Sequence, residues 1–273
     1  MSESSFLDHV GLDMHGHRKK TGFFLEALDR HRARLGRERG DVRVLELGCG
    51  NGHVVALPLA EQGFDVTGVD FHPPSIAAAN AANPFPHARF LVGDVFDADG
   101  ATLYDGVILS DVLEHVDDPG ALLRSTAAAL ADDGLLLISI PNGFGPYEAE
   151  QWLERHGLLR PFLWLIRAVG RLARRGRRPS APSTPDDALA YNAESGHVQF
   201  FTLRRFLGLL DAAGLDVVER RNGSLLGGEL SSYAFRAAPR LVPLSLRAAD
   251  RLPPALVSTW YFACVKRPAR SDG

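Results

Sequence analysis

Between residues 42 and 141 short β-rich runs alternate with helical stretches, and this alternation constrains the chain more than any other feature. The runs "VRVLEL" (42–47), "DVTGVD" (65–70), "ARFLVGD" (88–94), "YDGVILS" (104–110) and "GLLLISIP" (134–141) read as strands. Between them, 53–62, the alanine-rich 74–82 and 119–131 read as helices, the last with Asp118 as cap and Pro119 in its first turn. Parallel strands need crossovers, so this order specifies right-handed βαβ units and a mainly parallel sheet with helices on both faces. Upstream, 18–36 reads as a helix with Phe23, Phe24, Ala27, Leu28, His31 and Leu35 on one face. The pattern breaks from 143 to 196 and resumes with a helix at 202–213 and strands at 215–221 and 258–266, seven strands in all. The break predicts a helical insertion over the sheet's carboxyl edge, where ligands bind in such folds.

The whole chain narrows the function classes. Its 273 residues suffice for a substantial core, and 45% hydrophobic with 23% charged residues is the composition of a globular protein. A net charge of −3 argues against nucleic acid or an anionic membrane as the partner of the whole molecule. Two cysteines, Cys49 and Cys264, support neither a disulfide framework nor a four-cysteine zinc site. The first twenty residues lack the apolar segment of a signal peptide, and no apolar run is long enough to span a bilayer. The expected compartment is the cytoplasm.

After the first strand comes "GCGNG", with Gly48, Gly50 and Gly52 at alternate positions and Glu46 just ahead. A glycine loop between strand and helix lets a ligand approach the backbone and the helix N-terminus closely. The dinucleotide fingerprint GxGxxG is not matched, because position 53 is His. An acid before the loop suits a cation better than a phosphate. Asp70 ends the second strand, placed to accept both ribose hydroxyls, and Asp94 ends the third, placed to accept an adenine amino group. Acids at three strand ends describe a nucleoside with a positive, phosphate-free tail.

"VLELGCGNG", "VTGVDFHPPSI", "FLVGDVFD", "YDGVILSDVLEHVDDP" and "LLLISIPN" resemble the ordered motifs of class I S-adenosylmethionine-dependent methyltransferases. The resemblance covers 42–141 and resumes at 196–221; it is strongest to the subgroup of ubiquinone-biosynthesis O-methyltransferases and bacterial small-molecule methyltransferases. It implies a single Rossmann-like α/β domain over 1–273 whose last strand is antiparallel. The domain would comprise an N-terminal helical segment (1–40), a cofactor half (41–142), an inserted helical lid (143–196) and a completing segment (197–273). S-adenosylmethionine would then be the cofactor, with Glu46, Gly48, Cys49, Gly50 and Gly52 along its methionine part. Asp70 and Phe71 would meet the ribose side, Asp94 and Val95 the adenine, and Ser110 the sulfonium.

Methyl transfer needs a positioned nucleophile, and a base where that nucleophile carries a proton of high pKa. His115, five residues beyond the fourth strand, and His197, where the chain returns from the insertion, are the catalytic candidates. Asp111 and Glu114 also have the spacing of a capping box, with His115 then a packing residue. Asp111, Glu114, His115 and His197 further resemble the ligands of metal-dependent small-RNA 2′-O-methyltransferases, although Asp stands where that pattern has Glu. The expectation is methyl transfer to a small-molecule acceptor, at oxygen, without a metal. The alternatives are a metal-assisted RNA-end 2′-O-methyltransferase and a non-catalytic cofactor-binding regulator.

The insertion carries an amphipathic stripe of Phe162, Leu165, Ile166, Val169, Leu172 and Ala173 with arginines off it, then a Pro/Ser-rich run. Over 161–178 the readings are a lid on the acceptor cleft, a membrane-surface helix, and a solvated face or a patch for an anionic partner. The Leu-, Pro- and Ala-rich 225–257 suits an acceptor wall or a dimer contact, and oligomeric state is not legible.

Overall fold

The computed structural model describes Phe6, Asp13 and residues 15–95, 102–158 and 197–268. Its strands are β1 (Arg43–Leu47), β2 (Asp65–Asp70), β3 (Ala88–Val92), β4 (Tyr104–Ser110), β5 (Leu130–Pro141), β6 (Leu215–Asn222) and β7 (Thr259–Lys266). The described helices are α1 (His17–Arg34), α2 (Ala56–Glu61), α3 (Pro73–Ala82), α4 (Pro119–Ala129), α5 (Pro146–Arg155), α6 (Leu203–Ala212), α7 (Glu229–Ala237) and α8 (Leu241–Arg251). The strands form one sheet in the order β3-β2-β1-β4-β5-β7-β6. β1 to β5 run parallel to one another, and β7 runs antiparallel to both β5 and β6.

Alternation along each central strand builds a core on either face of this sheet. Val44, Ile108, Leu137 and Tyr261 join Phe23, Phe24, Leu28, Leu57 and Phe64 on one face. Leu45, Leu47, Val107, Leu109, Leu136, Ile138, Trp260 and Phe262 join Leu122, Phe206 and Leu210 on the other. A one-residue slip would exchange these sets, so the register is specified from both sides. The same alternation turns Glu46 towards the face that α1 covers. α1 docks through Phe23, Phe24, Ala27 and Leu28, as its stripe predicts, whereas Leu35 lies past the helix end and is exposed.

Local chemistry sets several boundaries differently from the sequence reading. The run expected as a strand over 88–94 ends at Val92, where Gly93 N–H donates to Asp70 O at 3.1 Å, so Asp94 lies beyond the strand. α2 begins at Ala56, not 53, because turns occupy 51–55 and Gly52 has φ 75°. β5 starts at Leu130, pairing with Tyr104 before a register shift, which shortens α4 to Ala129. Asp118 does cap α4, accepting the Ala121 N–H at 2.8 Å. Residues 225–257 contribute α7 and α8, where Phe235 and Val242 form a small satellite core with Leu226 and Leu246. Of the insertion, α5 is described, while the stripe over 161–178 and the Pro/Ser-rich run lie outside the described residues. No described helix is long and apolar enough to cross a membrane.

Candidate active site

β1 lies between β2 and β4, and the chain leaves it towards β2 and β3 before returning to β4 on its other side. That reversal makes the carboxyl ends of β1 and β4 the switch point of the sheet, where a crevice opens. The glycine loop sits there. It is tied to β2 by Gly48 and Cys49, whose N–H groups donate to Val69 O at 2.8 and 3.0 Å.

All three loop glycines have left-handed backbones, with φ 73°, 54° and 75°. Their reasons differ. A Cβ on Gly48 would stand 2.6 Å from Val112 Cγ2, and one on Gly52 would stand 2.8 Å from the Phe90 ring. These two glycines answer to the protein's own packing. A Cβ on Gly50 would meet nothing within 4 Å, so the backbone there faces open space. The Cys49 side chain turns away into the α1-side core, where burial pushes its thiol above the usual range.

Asp70 braces the loop. Its Oδ2 accepts Gly50 N–H and its Oδ1 accepts His72 N–H, both at 2.8 Å, and each oxygen keeps a second lone pair. Phe71 beside it is 60% exposed, a large apolar ring left on the crevice side of β2. Asp94 is exposed, and Val95 is buried in the second core. Ser110 is half-buried, with its Oγ 3.5 Å from Ser139 Oγ.

Behind the loop lies a buried charged cluster that sequence reasoning only partly found. Lys20 of α1 is 5% exposed, and its Nζ donates to Asp111 Oδ2 at 2.6 Å. Ser139 Oγ donates to Asp111 Oδ1 at 2.7 Å. Asp111 is the one described non-glycine residue with positive φ, 56°, a costly conformation that these contacts stabilise. Burial pushes its carboxyl up, but the Lys20 ammonium and the Ser139 hydroxyl outweigh that and hold it below the usual carboxylate range. Asp111 is therefore not the first residue of a capping box: the turn Leu113–His115 starts from Val112 without a side-chain cap. Nearby, burial and Lys20 push the His17 imidazole down to about 3, and its buried Nδ1 has no partner.

Glu46 is 3% exposed, and its Oε2 also has no partner. The other oxygen is left for the Ala56 N–H at the start of α2, which hydrogen-bonds the carboxyl. Burial pushes this carboxyl up to about 8, with Asp70 and Asp111 adding to the shift and Lys20 opposing it.

A histidine corner follows β4. Val198 and Gln199 donate their N–H groups to Glu114 O at 2.9 and 3.0 Å, pinning the returning chain against the turn after β4. The His115 and His197 rings consequently meet edge to face, 5.1 Å apart. His197 Nδ1 pairs with Glu148 Oε1 at 2.8 Å, and Tyr147 lies 6.4 Å from the same ring. Glu114 is 1% exposed with Oε2 unpartnered, and burial, then Asp111, push its carboxyl well above the usual range. One donor atom each of Glu114, His115 and His197 lies within 4.8 Å of the others. Of the four-residue set read from the sequence, three converge, and Asp111 is taken by Lys20.

The sequence reading missed Lys20, His17 and Glu148. Lys20 had a signal: it stands on the apolar stripe with Phe24 and Ala27, where a solvated lysine would not be placed. Glu148 had none, since only the docking of α5 brings it to His197.

A sheet ordered 3-2-1-4-5-7-6 with one antiparallel strand, a glycine loop at the switch point and acids at the neighbouring strand ends defines the class I methyltransferase fold. The chain belongs to the methyltransferase family: the family's methyltransferase-domain model matches residues 16–220, and S-adenosylmethionine is the family's cofactor. It is 37% identical over 105 residues to a ubiquinone biosynthesis O-methyltransferase of Caulobacter sp., covering 37% of this chain and 41% of that protein. To a protein of the same name from Azorhizobium caulinodans it is 33% identical over 129 residues, covering 45% and 51%. The match thus spans about half the length of these curated relatives or less. The fold is shared with a 1,6-didemethyltoxoflavin-N1-methyltransferase of Burkholderia thailandensis, whose crystal structure has 1,6-didemethyltoxoflavin and S-adenosylhomocysteine bound. That similarity has a TM-score of 0.51 and 21% identity over 93% of this chain and 80% of that one.

Proposed function

We propose that this chain transfers the methyl group of S-adenosylmethionine to an oxygen of a small-molecule acceptor. The observation that carries the choice of oxygen is the histidine corner, His115 against His197 with Glu148 on the far nitrogen. A neutral amine needs no base for methylation, whereas a hydroxyl must lose its proton, and an imidazole held by a carboxylate is suited to take it. The O-methyltransferase names of the relatives agree.

The residues fit the cofactor on the structure's own terms. Gly50 offers open backbone, and Glu46 offers a buried acid whose Oε2 has no partner among the described residues. Glu46 with the backbone of Gly48, Cys49, Gly50 and Gly52 would hold the methionine part. The outward lone pairs of Asp70 would take the ribose hydroxyls and Phe71 would cover that side. Asp94 and the Val95 N–H would meet the adenine, and Ser110 would lie beneath the sulfonium. When bound, the cofactor supplies a methyl carbon on a positively charged sulfur.

The chain's own residues do the rest. Glu148 Oε1 accepts the His197 Nδ1–H, which leaves Nε2 as the atom that takes the acceptor's proton. His115 orients that ring by edge contact. Holding nucleophile and methyl carbon in line lowers the barrier further, because orientation is already arranged. The domain is proposed to act in the cytoplasm as one unit over 1–273, with 143–196 as its acceptor lid and 161–178 as the segment for any membrane contact.

A second reading has one observation in its favour. Glu114, His115 and His197 could hold a divalent cation, with Glu114 Oε1 3.9 Å from His115 Nε2, and such a cation would bind the acceptor oxygen directly. The deciding experiment measures S-adenosylhomocysteine release with matched hydroxyl and amine acceptors, in chelator and in Mg²⁺. Turnover of hydroxyls in chelator is expected. Turnover only with metal would replace the histidine base by the cation and raise the RNA-end alternative, and no turnover with any acceptor class would favour a regulatory cofactor-binding protein.

A further inference from the structure

Among the described residues Glu46 has no counter-ion of its own. It is 3% exposed at the carboxyl end of β1, two residues before the glycine loop. The charged and titratable groups facing it are Lys20 from α1, Asp70 from the end of β2, Asp111 after β4, and the Cys49 thiol in the loop. The one cation among them, Lys20, lies 2.6 Å from Asp111 and is committed there. Two of the neighbours are acids, and both are already hydrogen-bonded: Asp70 to Gly50 and His72, Asp111 to Lys20 and Ser139. Among the described residues Glu46 has only the Ala56 N–H, and Oε2 has no partner.

An ionised carboxylate in that position is costly, and a neutral one is favoured. A cation delivered to Oε2 reverses the balance. We propose that Glu46 is a proton-linked receptor for the α-ammonium of the cofactor: it holds a proton before binding and releases it to solvent as the ammonium arrives. The inference rests on the methyltransferase reading of the site and adds to it a proton balance. One O–H bond of Glu46 is broken, one ammonium–carboxylate pair is formed, and one proton appears in the buffer. The cofactor's cationic tail is thereby taken up without leaving the buried cluster with an unpaired negative charge in the free protein. The other neighbours cannot substitute as the proton source. Asp111 is held in its ionised form by Lys20, His17 has already lost its proton, and the Cys49 thiol faces the core.

Calorimetry of S-adenosylmethionine binding to the full chain at pH 7, in phosphate and in Tris, measures the released proton, because the two buffers differ in ionisation enthalpy. Close to one proton per cofactor is expected. Affinity should tighten about tenfold per pH unit from pH 6 to 7.5, then level off near pH 8. Glu46→Gln should remove both the buffer dependence and the pH slope. A measurement on the unmodified chain guards against a folding defect in that variant: 5′-methylthioadenosine, which has the nucleoside but no ammonium, should bind with no proton release. Equal heats in the two buffers with S-adenosylmethionine bound overturn this inference alone. Equal proton release with 5′-methylthioadenosine also overturns it. No binding of S-adenosylmethionine under any condition overturns both the inference and the cofactor reading beneath it.

Discussion

Glu46 should make the free protein less stable as the solution becomes more alkaline, and Glu46→Gln should remove that dependence. The folded carboxyl sits at about 8 against 4.5 for an unperturbed one. Its folded form therefore keeps a proton that the unfolded chain loses. The associated stability is fully present below about pH 4.5 and is lost as pH rises towards 8, the sign for a raised acid. Relative to an unperturbed acid, the cost is about 1 kcal/mol at pH 5 and about 4 kcal/mol at pH 7.5. Glutamine has the same shape and no proton to lose, so the stability difference between variant and parent should grow by about 3 kcal/mol between those pH values. For a chain of this size that corresponds to a growing difference in Tm on the order of 5–10 °C. Thermal melts of both proteins without cofactor, at pH 5 and pH 7.5, test it. A Tm difference that stays constant between the two pH values would refute the argument, because any packing cost of the amide is independent of pH.

Asp70→Ala should weaken S-adenosylmethionine binding by about 2–4 kcal/mol, since it removes ribose acceptors and the brace on Gly50 together; titration calorimetry measures the loss, and NAD should not bind. His197→Ala should lower kcat on a hydroxyl acceptor by about 10²–10⁴-fold while leaving cofactor affinity unchanged, and an unchanged kcat would remove His197 from the chemistry. Phe24→Ala, at a fully buried position of α1, should cost about 3–5 kcal/mol in chemical denaturation; a loss below 1 kcal/mol would mean that α1 is not part of the core.

The sheet was legible because each strand carries its own signal. Strand-length apolar runs, bounded by turn residues and separated by helical segments, leave few topologies, and right-handed crossovers with both faces covered remove most of the rest. The places of the glycine loop and Asp70 were legible for a related reason: they lie at strand ends, where the crevice of such a sheet opens, whereas Asp94 falls two residues past the end of β3. His115 and His197 stand out by chemistry and by their places after β4 and after the insertion. What the sequence could not supply was pairing across distance. Lys20 and Asp111 are 91 residues apart, and His197 and Glu148 are 49 apart. Nothing local in either residue of a pair names the other. Gly48, Gly50 and Gly52 look alike in the sequence, yet Val112 and Phe90 close in on the outer two while Gly50 faces open space. Asp111 had the spacing of a cap, and its ion pair with a helix from the N-terminus claimed it instead. Periodicity and strand-end chemistry are properties of short stretches, so the sequence alone determines them. Burial, counter-ions and the protonation of Glu46 depend on which elements pack against which, and only the tertiary structure decides that.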